Sequence, residues 1–200
     1  MSKDIKIDLQ ALRGLRDGGY ITGKMLIAMP HIEDARYKRS VILLYEHNKE
    51  GAKGFLLNRT TDRVSFLELA RQLSIVCQNP PEPQLYHGGP IENMRGFVLH
   101  SADRQYRSSL KIADGIMMTS SIEPLNEIAN RIGPSSRMIL LGHSVWAKDE
   151  LERELAENFW LVMECDLGIC FQEDVHTKWL ESMKKLKLNP AAISSMMGQS

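Results

Sequence analysis

The sequence feature that most constrains the fold of this chain is the shortness of its apolar runs. The longest are residues 25–29, 41–45 and 138–141, only four or five residues each. A membrane-spanning helix needs about 20 apolar residues, whereas four or five are typical of a buried strand. The first ten residues mix Lys with Asp and contain no apolar signal-peptide segment. We therefore expect a cytoplasmic protein without a membrane partner, built around short buried strands.

Helical patterns stand between groups of strand patterns. Ser65 and Glu68 have capping-box spacing, and apolar residues then recur at i, i+3, i+4 and i+7. Three more helices are predicted at 124–133, 149–158 and 175–186, the first with Pro in its first turn and Gly at its end. The predicted strands are 22–29, 40–45, 54–57, 84–87, 96–101, 116–119, 137–141, 160–163 and 168–171.

This order of elements favours the α+β class, because the strands occur in clusters and do not alternate strictly with helices. The chain of 200 residues is long enough for one real core. We predict one compact domain over residues 1–200, with 1–20 as a peripheral N-terminal helix or arm. Basic and acidic residues number 25 each, so the formal net charge is zero. Direct nucleic-acid binding is therefore not expected, since phosphate contacts need an excess of Lys and Arg.

The three cysteines are an odd number and do not form a disulfide framework. Four residues separate Cys165 from Cys170, and Cys77 leaves no second pair that could complete a zinc site. We expect reduced, buried thiols, and neither a metal nor another cofactor.

Four histidines, His47, His87, His100 and His143, lie at or near the ends of predicted strands. Strand ends can converge in one cleft, so a shared acid–base or metal site is one interpretation. Separate structural or surface roles are the other interpretation, because no two of these histidines are spaced at i, i+2 or i, i+4 on one element.

Glycine-containing turns are the next candidates for chemistry. Residues 142–146 read Gly-His-Ser-Val-Trp between a predicted strand and a predicted helix. A nucleophile elbow would need glycine in place of Trp146, so we assign no catalytic residue. Gly88 and Gly89, before Pro90, predict a turn with positive φ, and close approach by a ligand is the alternative. The lysines at 178, 184, 185 and 187 are interpreted as a solvated face with helix-end charges.

A series of short motifs, weak singly but specific in their order and spacing, runs from Gly23 to Gly198. They include residues 23–30, 34, 39–42, 47, 51–52, 54, 58–59, 86, 88–90, 96–101, 121, 133–134, 141–142, 146, 151–152, 154, 158, 160–161 and 178–179. Together these motifs resemble the YqgE/AlgH family of small bacterial proteins. The resemblance implies a single α+β domain, with a mixed sheet curled toward a barrel and helices packed outside.

The resemblance supplies no accepted reaction. Some family members are named as candidate transcriptional regulators, notably of alginate production, and that name does not establish DNA contact. The chain departs from the family pattern after Gly142, where Tyr-Ala-Gly-Trp is usual and residues 143–146 read His-Ser-Val-Trp. Thr60 also replaces a proline that often follows Arg59. A family pocket at this turn would be altered in this chain.

Three functions follow as hypotheses. The first is a non-catalytic binding or regulatory protein that acts on an unknown protein or small-molecule partner, as a monomer or weak dimer. The alternative is a small-ligand or anion binder, or a hydrolase-like enzyme, with Arg39 and the Gly88–Gly89 amides holding the anion. The third is direct DNA binding. The candidate ligand-binding residues are Arg39, His47, Asn58, Gly88, Gly89, His100 and His143.

Overall fold

A computed structural model describes residues 19–76, 81–172 and 174–190. These ranges form one α+β domain with nine strands in a single sheet and five helices. The arm predicted for residues 1–20 falls almost entirely outside the described residues. The strands are β1 (Met25–Ala28), β2 (Val41–Asn48), β3 (Gly51–Leu56), β4 (Leu85–His87), β5 (Ile91–Ser101), β6 (Leu110–Ala113), β7 (Ile116–Thr119), β8 (Arg137–Ala147) and β9 (Trp160–Met163).

The helices start where the sequence supplies a cap or a helix-compatible first turn. The five are α1 (Phe66–Gln72), α2 (Glu123–Ala129), α3 (Glu150–Ala156), α4 (Leu167–Phe171) and α5 (Lys178–Lys185). The capping box of α1 is confirmed: the backbone N–H of Ser65 donates to the Glu68 carboxylate at 2.8 Å, and the Glu68 N–H donates to Ser65 Oγ at 3.2 Å. Pro124 lies in the first turn of α2, as predicted.

The predicted strand at 168–171 is wrong, because these residues lie in α4. The Asp166 side chain accepts the N–H of Ile169 at 2.9 Å and so caps the first turn of this short helix. The four apolar residues are as compatible with a buried helix as with a buried strand, and the cap decides between them.

The sheet is mixed and curled. Its order is β6-β7-β5-β8-β3-β2-β1-β9, and β4 pairs with β8 in parallel, whereas the other described pairings are antiparallel. A Cβ at Gly23, just before β1, would lie 2.5 Å from the carbonyl oxygen of Ile112 in β6. The entry to β1 therefore packs against the far end of the strand order, which makes the sheet a half-barrel.

The predicted turn at 142–146 is also wrong, since these residues continue β8 for its full length of 11 residues. Gly142 has φ of 76°, and the pairing register with β5 shifts next to it. The glycine bends the strand without ending it. The first half of β8 pairs with β4 and β5 and the second half pairs with β3.

Three apolar clusters cover the two faces of the sheet. The inner cluster draws on all nine strands and is closed by α4 and α5, through Ile169, Trp179 and Met183. The outer face is divided, with α3 packed beside β1–β3 and both α1 and α2 packed beside β5 and β8. Helices α1–α3 thus lie outside the curl as predicted, while α4 and α5 fill its inner side.

Within the described residues, no helix is both long and apolar enough to cross a bilayer.

Candidate functional site

His47 lies on the outer face of the sheet because of a bulge in β2. The register with β3 shifts between Leu44 and Glu46, so Tyr45 faces the inner cluster and His47 faces α3. The backbone N–H of Ile21 donates to His47 Nδ1 at 3.1 Å. The other ring nitrogen, Nε2, therefore carries the proton and donates to Glu152 Oε1 at 2.8 Å. The buried ring ties the segment before β1 to α3.

Asn58 acts as a backbone bridge. Its Oδ1 accepts the N–H of Val41 at 2.9 Å, and its Nδ2 donates to the carbonyl oxygen of Arg39 at 2.8 Å. Arg39 has φ of 55°, and its guanidinium lies over the Trp179 ring, 5.5 Å from the centroid. Both polar groups of Asn58 are thus used to hold the chain at the start of β2.

Gly88 and Gly89 provide close backbone packing. The Gly88 N–H donates to the carbonyl oxygen of Leu141 at 2.8 Å, and the Gly88 carbonyl accepts the N–H of Leu56 at 2.8 Å. Gly89 has φ of 153°, and a Cβ there would lie 2.1 Å from the carbonyl carbon of His143. The positive φ predicted for this turn is present at Gly89, and the Gly88 amide proposed for an anion is engaged with β8.

His100 lies in a buried polar network at one end of the sheet. Its Nδ1 donates to the carbonyl oxygen of Ser101 at 2.9 Å, and its Nε2 accepts from the Thr119 hydroxyl at 2.9 Å. Ser109 lies 2.7 Å from the same hydroxyl and connects β6 to the network. Burial lowers the pKa of His100, so the ring is held neutral.

His143 packs on the inner face against two aromatic rings, those of Tyr45 and Phe97. The Tyr45 hydroxyl lies 2.6 Å from His143 Nδ1, and the Phe97 ring lies 5.6 Å away between centroids. Burial raises the pKa of Tyr45 and lowers that of His143, so the phenol donates and the imidazole accepts. The remaining nitrogen, Nε2, faces a Glu92 oxygen at 3.5 Å.

The predicted residues are therefore distributed over both faces and several parts of the sheet. His47 lies outside and His143 inside, while His100 pairs in register with Arg137 at the start of β8. Each of the three rings makes its own local contacts. A ligand-binding role for these residues stays a prediction, and the described residues contain no group of three or more His, Cys, Asp or Glu that could hold a metal ion.

A different set of residues forms a concave site on the outer face. It is a cavity of about 270 Å³ between the loop that follows β1, the end of α3 and the start of β9, and we call it the aromatic–acidic pocket. Its lining residues are His31, Ile32, Glu33, Asp34, Tyr37, Glu154, Phe159 and Trp160.

Glu154 organises the aromatic wall of this pocket. One carboxylate oxygen accepts the indole N–H of Trp146 at 2.8 Å and that of Trp160 at 2.6 Å. The two indoles meet edge to face at 6.1 Å, and Tyr37 meets Trp160 in the same way at 5.9 Å. Edge-to-face pairs of this kind are favourable, so the wall is preorganised. Burial raises the pKa of Tyr37, and the nearby carboxylate of Glu154 raises it further.

The charges at the pocket are predominantly negative. Asp34 binds Arg36 through both carboxylate oxygens, with the shortest N–O distance 2.7 Å, and this pairing lowers the pKa of Asp34. The guanidinium of Arg36 also lies over the Tyr37 ring at 5.5 Å. Glu33 and Glu154 add two carboxylates. His31 Nδ1 is buried without a hydrogen-bond partner among the described residues.

Comparison with known proteins identifies the family of this chain. The family model described as AlgH-like matches residues 25–191. The chain belongs to the AlgH-like family. The UPF0301 protein of Rhodopseudomonas palustris is 38% identical over 194 residues, covering 92% of this chain and 88% of that protein. The UPF0301 protein of Vibrio cholerae is 36% identical over 184 residues, covering 89% of this chain and 98% of that protein. The resemblance inferred from the motifs is confirmed.

Two solved structures share the fold. The solution structure of AlgH from Pseudomonas aeruginosa matches this chain with a TM-score of 0.73 and 33% identity, covering 90% of this chain and 95% of that one. Protein DIP2367 of Corynebacterium diphtheriae matches with a TM-score of 0.66 and 23% identity, covering 82% of this chain and 86% of that one. The second likeness concerns the fold alone. None of these names states an activity, so the function of this AlgH-like protein has to be argued from its own residues.

The sequence contained part of the signal for the aromatic–acidic pocket. Trp146, Glu154 and Trp160 belong to the motifs that carried the AlgH-like resemblance. They come from β8, α3 and β9, and their distance along the chain does not show that one carboxylate joins both indoles.

This AlgH-like chain also has a larger and more polar cavity of about 540 Å³ beside β4. Arg137 lines it, but its guanidinium already donates to the carbonyl oxygen of Pro134 at 2.8 Å. The other lining residues are Thr60, Pro83, Gln84, Tyr86, Ser135, Ser136, Ile139 and Phe171. The cavity thus offers one positive charge and several hydroxyls, without the ordered aromatic wall of the smaller site.

Proposed function

We propose that this chain is a non-catalytic, cytoplasmic binding protein whose aromatic–acidic pocket takes a small organic cation, an alkylated ammonium or a guanidinium group. The observation that carries the proposal is that a carboxylate and aromatic rings are held together at one cavity. Glu154 fixes two indoles beside a cavity that also has Tyr37 and Phe159 on its wall. Ring faces and carboxylates both attract cations, and both recognise charge without requiring a reaction.

Two energetic contributions support binding of a cation. An ammonium over an aromatic face gains roughly 0.5–2 kcal/mol, and the gain increases when the site excludes water. The lining carboxylates outnumber the single guanidinium of Arg36, so a cation entering the pocket meets net negative charge. Arg36 over Tyr37 demonstrates that the ring accepts a guanidinium from within the chain itself.

A regulatory role follows naturally for such a binder, since ligand occupancy stabilises the native state and can alter a partner surface. The apolar runs of four or five residues, far shorter than a membrane span, support a cytoplasmic location.

Calorimetric titration with choline and with its neutral isostere 3,3-dimethylbutanol tests the proposal. The two probes have nearly the same shape and differ in charge. We expect choline to bind about tenfold or more tightly than the alcohol, which corresponds to about 1.4 kcal/mol of charge recognition. Added salt should weaken choline binding, because the rim carboxylates are solvent-accessible and screened. Equal affinity for the two probes, or no binding of choline, would overturn the proposal.

Variants locate the binding site. Glu154→Gln keeps an oxygen that can accept the indole N–H groups but removes the charge, and Phe159→Leu keeps apolar bulk but removes a ring that is 36% exposed. Each should weaken choline binding roughly three- to tenfold. Glu157→Gln is the matched control, since it removes an exposed carboxylate next to the same helix and outside the pocket lining. A loss of affinity in the control equal to that in Glu154→Gln would place the effect in overall charge and not in this pocket.

A further inference from the structure

Two cysteines meet where α4 packs under the sheet. Cys165 Sγ lies 3.7 Å from Cys170 Sγ, and both thiols are free. A disulfide requires its sulfurs at about 2.05 Å, so closing the pair requires a movement of less than about 2 Å. Cys165 stands just before the Asp166 cap and Cys170 lies within the helix, so α4 itself brings the two side chains together.

The two thiols have unequal environments. Cys165 is partly exposed, whereas Cys170 is fully buried. A hydrogen bond from the Cys170 thiol lowers the pKa of Cys165, and the same bond together with burial raises the pKa of Cys170. The accessible sulfur is therefore the one that ionises more easily, which is the arrangement of an attacking thiol beside a resolving thiol.

Lys178 supplies a positive charge to this cluster. The side chain is completely buried, which corrects the interpretation of the lysines at 178–187 as one solvated face. Its Nζ donates to the Cys170 carbonyl at 2.6 Å and lies 3.8 Å from Met138 Sδ. No described carboxylate lies within ion-pair distance of it. Its charge favours ionisation of Cys170. A buried cation of this kind is stabilised by an anion, and the thiolates are the anions that the cluster can form.

We propose that Cys165 and Cys170 are a redox-active thiol pair that is modified by exchange with a small disulfide. The Cys165 thiolate attacks one sulfur of the small disulfide, a mixed disulfide forms, and one small thiolate leaves. The Cys170 thiolate then attacks Cys165 Sγ, the protein disulfide forms, and the second small thiolate leaves. The pair loses two electrons and two protons, and the small disulfide becomes two thiols. Lys178 is a positioning residue that favours the Cys170 thiolate in the second step.

Oxidised glutathione is the probe, and peptide mass spectrometry after digestion with trypsin is the measurement. Cleavage after Arg153 and Lys178 leaves Cys165 and Cys170 in one peptide, separate from Cys77. In the wild-type chain we expect this peptide to lose two hydrogens without gaining glutathione. A peptide that stays reduced in excess oxidised glutathione, or a disulfide to Cys77 instead, would overturn the proposal.

Single variants establish the order of attack. Cys170→Ala should trap one glutathione on Cys165, and Cys165→Ala should leave the buried Cys170 without glutathione. A glutathione adduct on Cys170 in place of Cys165 would contradict the assigned roles. Because Cys170→Ala opens a small cavity, the wild-type time course gives a second measurement, in which the mixed disulfide on Cys165 precedes the protein disulfide.

Lys178→Met isolates the contribution of the charge. We expect about tenfold or more mixed disulfide in this variant than in wild type. At high pH, where wild-type Lys178 is neutral, we expect the two proteins to accumulate equal amounts of it. If the substitution leaves the amount of mixed disulfide at neutral pH unchanged, Lys178 has no part in the reaction. The roles of the two cysteines are then decided by the Cys165→Ala and Cys170→Ala variants alone.

Discussion

Lys178 shows how one residue can be retained at a cost to stability. Its ammonium is buried with a carbonyl oxygen and a thioether as neighbours, and burial lowers its pKa from 10.5 to about 8. Between these two values the unfolded chain binds a proton that the folded chain does not, so stability rises with pH through that window. Below pH 8 both states are protonated, and the buried charge costs roughly 3 kcal/mol relative to an unshifted lysine.

Lys178→Met should therefore stabilise the fold at pH 7, by about 2 kcal/mol, because methionine has a similar shape without the charge. The advantage should shrink as pH rises from 8 toward 10, where wild-type Lys178 loses its proton. Urea unfolding at several pH values measures this difference. Lys184→Met on the same helix is the control, since its side chain is 72% exposed and should change stability little. A stabilisation by Lys178→Met that is constant with pH would contradict the linkage.

At the scale of single elements, α1 is held by the most local signal in the sequence. Its capping box satisfies two backbone N–H groups through Ser65 and Glu68, and only Phe66 and Ala70 are buried. Because so few of its side chains are buried, the capping box at its N-terminus contributes a large share of the stability of α1. The Ser65 bonds lower the pKa of Glu68, so the carboxylate is the form that completes the box at neutral pH.

Ser65→Ala should lower the free energy of unfolding by about 1 kcal/mol, because the Glu68 N–H in the first turn of α1 loses its acceptor, Ser65 Oγ. Ser108→Ala, at an exposed serine in a turn, should change it by less than about 0.5 kcal/mol. Denaturant melts of both variants give the comparison. If both substitutions lower the free energy of unfolding equally, the capping box contributes no more to stability than an exposed serine in a turn.

Elements with local signals were the ones that the sequence predicted correctly. The cap at Ser65 and Pro124 in the first turn of α2 were both predicted from a few neighbouring residues. The bulge at Tyr45 and the bend at Gly142 were not, because each depends on the register of a neighbouring strand. The same cause hid the polar sites: the bulge separates His47 from His143, and the aromatic–acidic pocket joins residues from different elements.

At the scale of the whole molecule, the half-barrel is closed by backbone contact between its distant ends. Gly23 has φ of 81° and lies against Ile112 of β6, while its N–H donates to the carbonyl oxygen of Leu44 at 2.8 Å. Gly23 thus contacts both β6, at one end of the strand order, and β2, near the other end. The contact with Gly23 also covers part of the β6 edge, and an open edge is where a strand can pair with another chain.

Gly23→Ala should loosen this closure. The new Cβ would lie 2.5 Å from the Ile112 carbonyl oxygen, and alanine disfavours positive φ, so we expect a loss of roughly 2–4 kcal/mol. Gly96→Ala is the matched control, because no heavy atom lies within 4 Å of a Cβ there and the change should be near neutral.

Amide hydrogen exchange shows where the Gly23→Ala variant opens. Strand β6 should lose protection before β8 does, because β6 lies at the end of the strand order and β8 is paired on both sides. Uniform loss of protection in both strands would show that the contact stabilises the whole core and not specifically the closure.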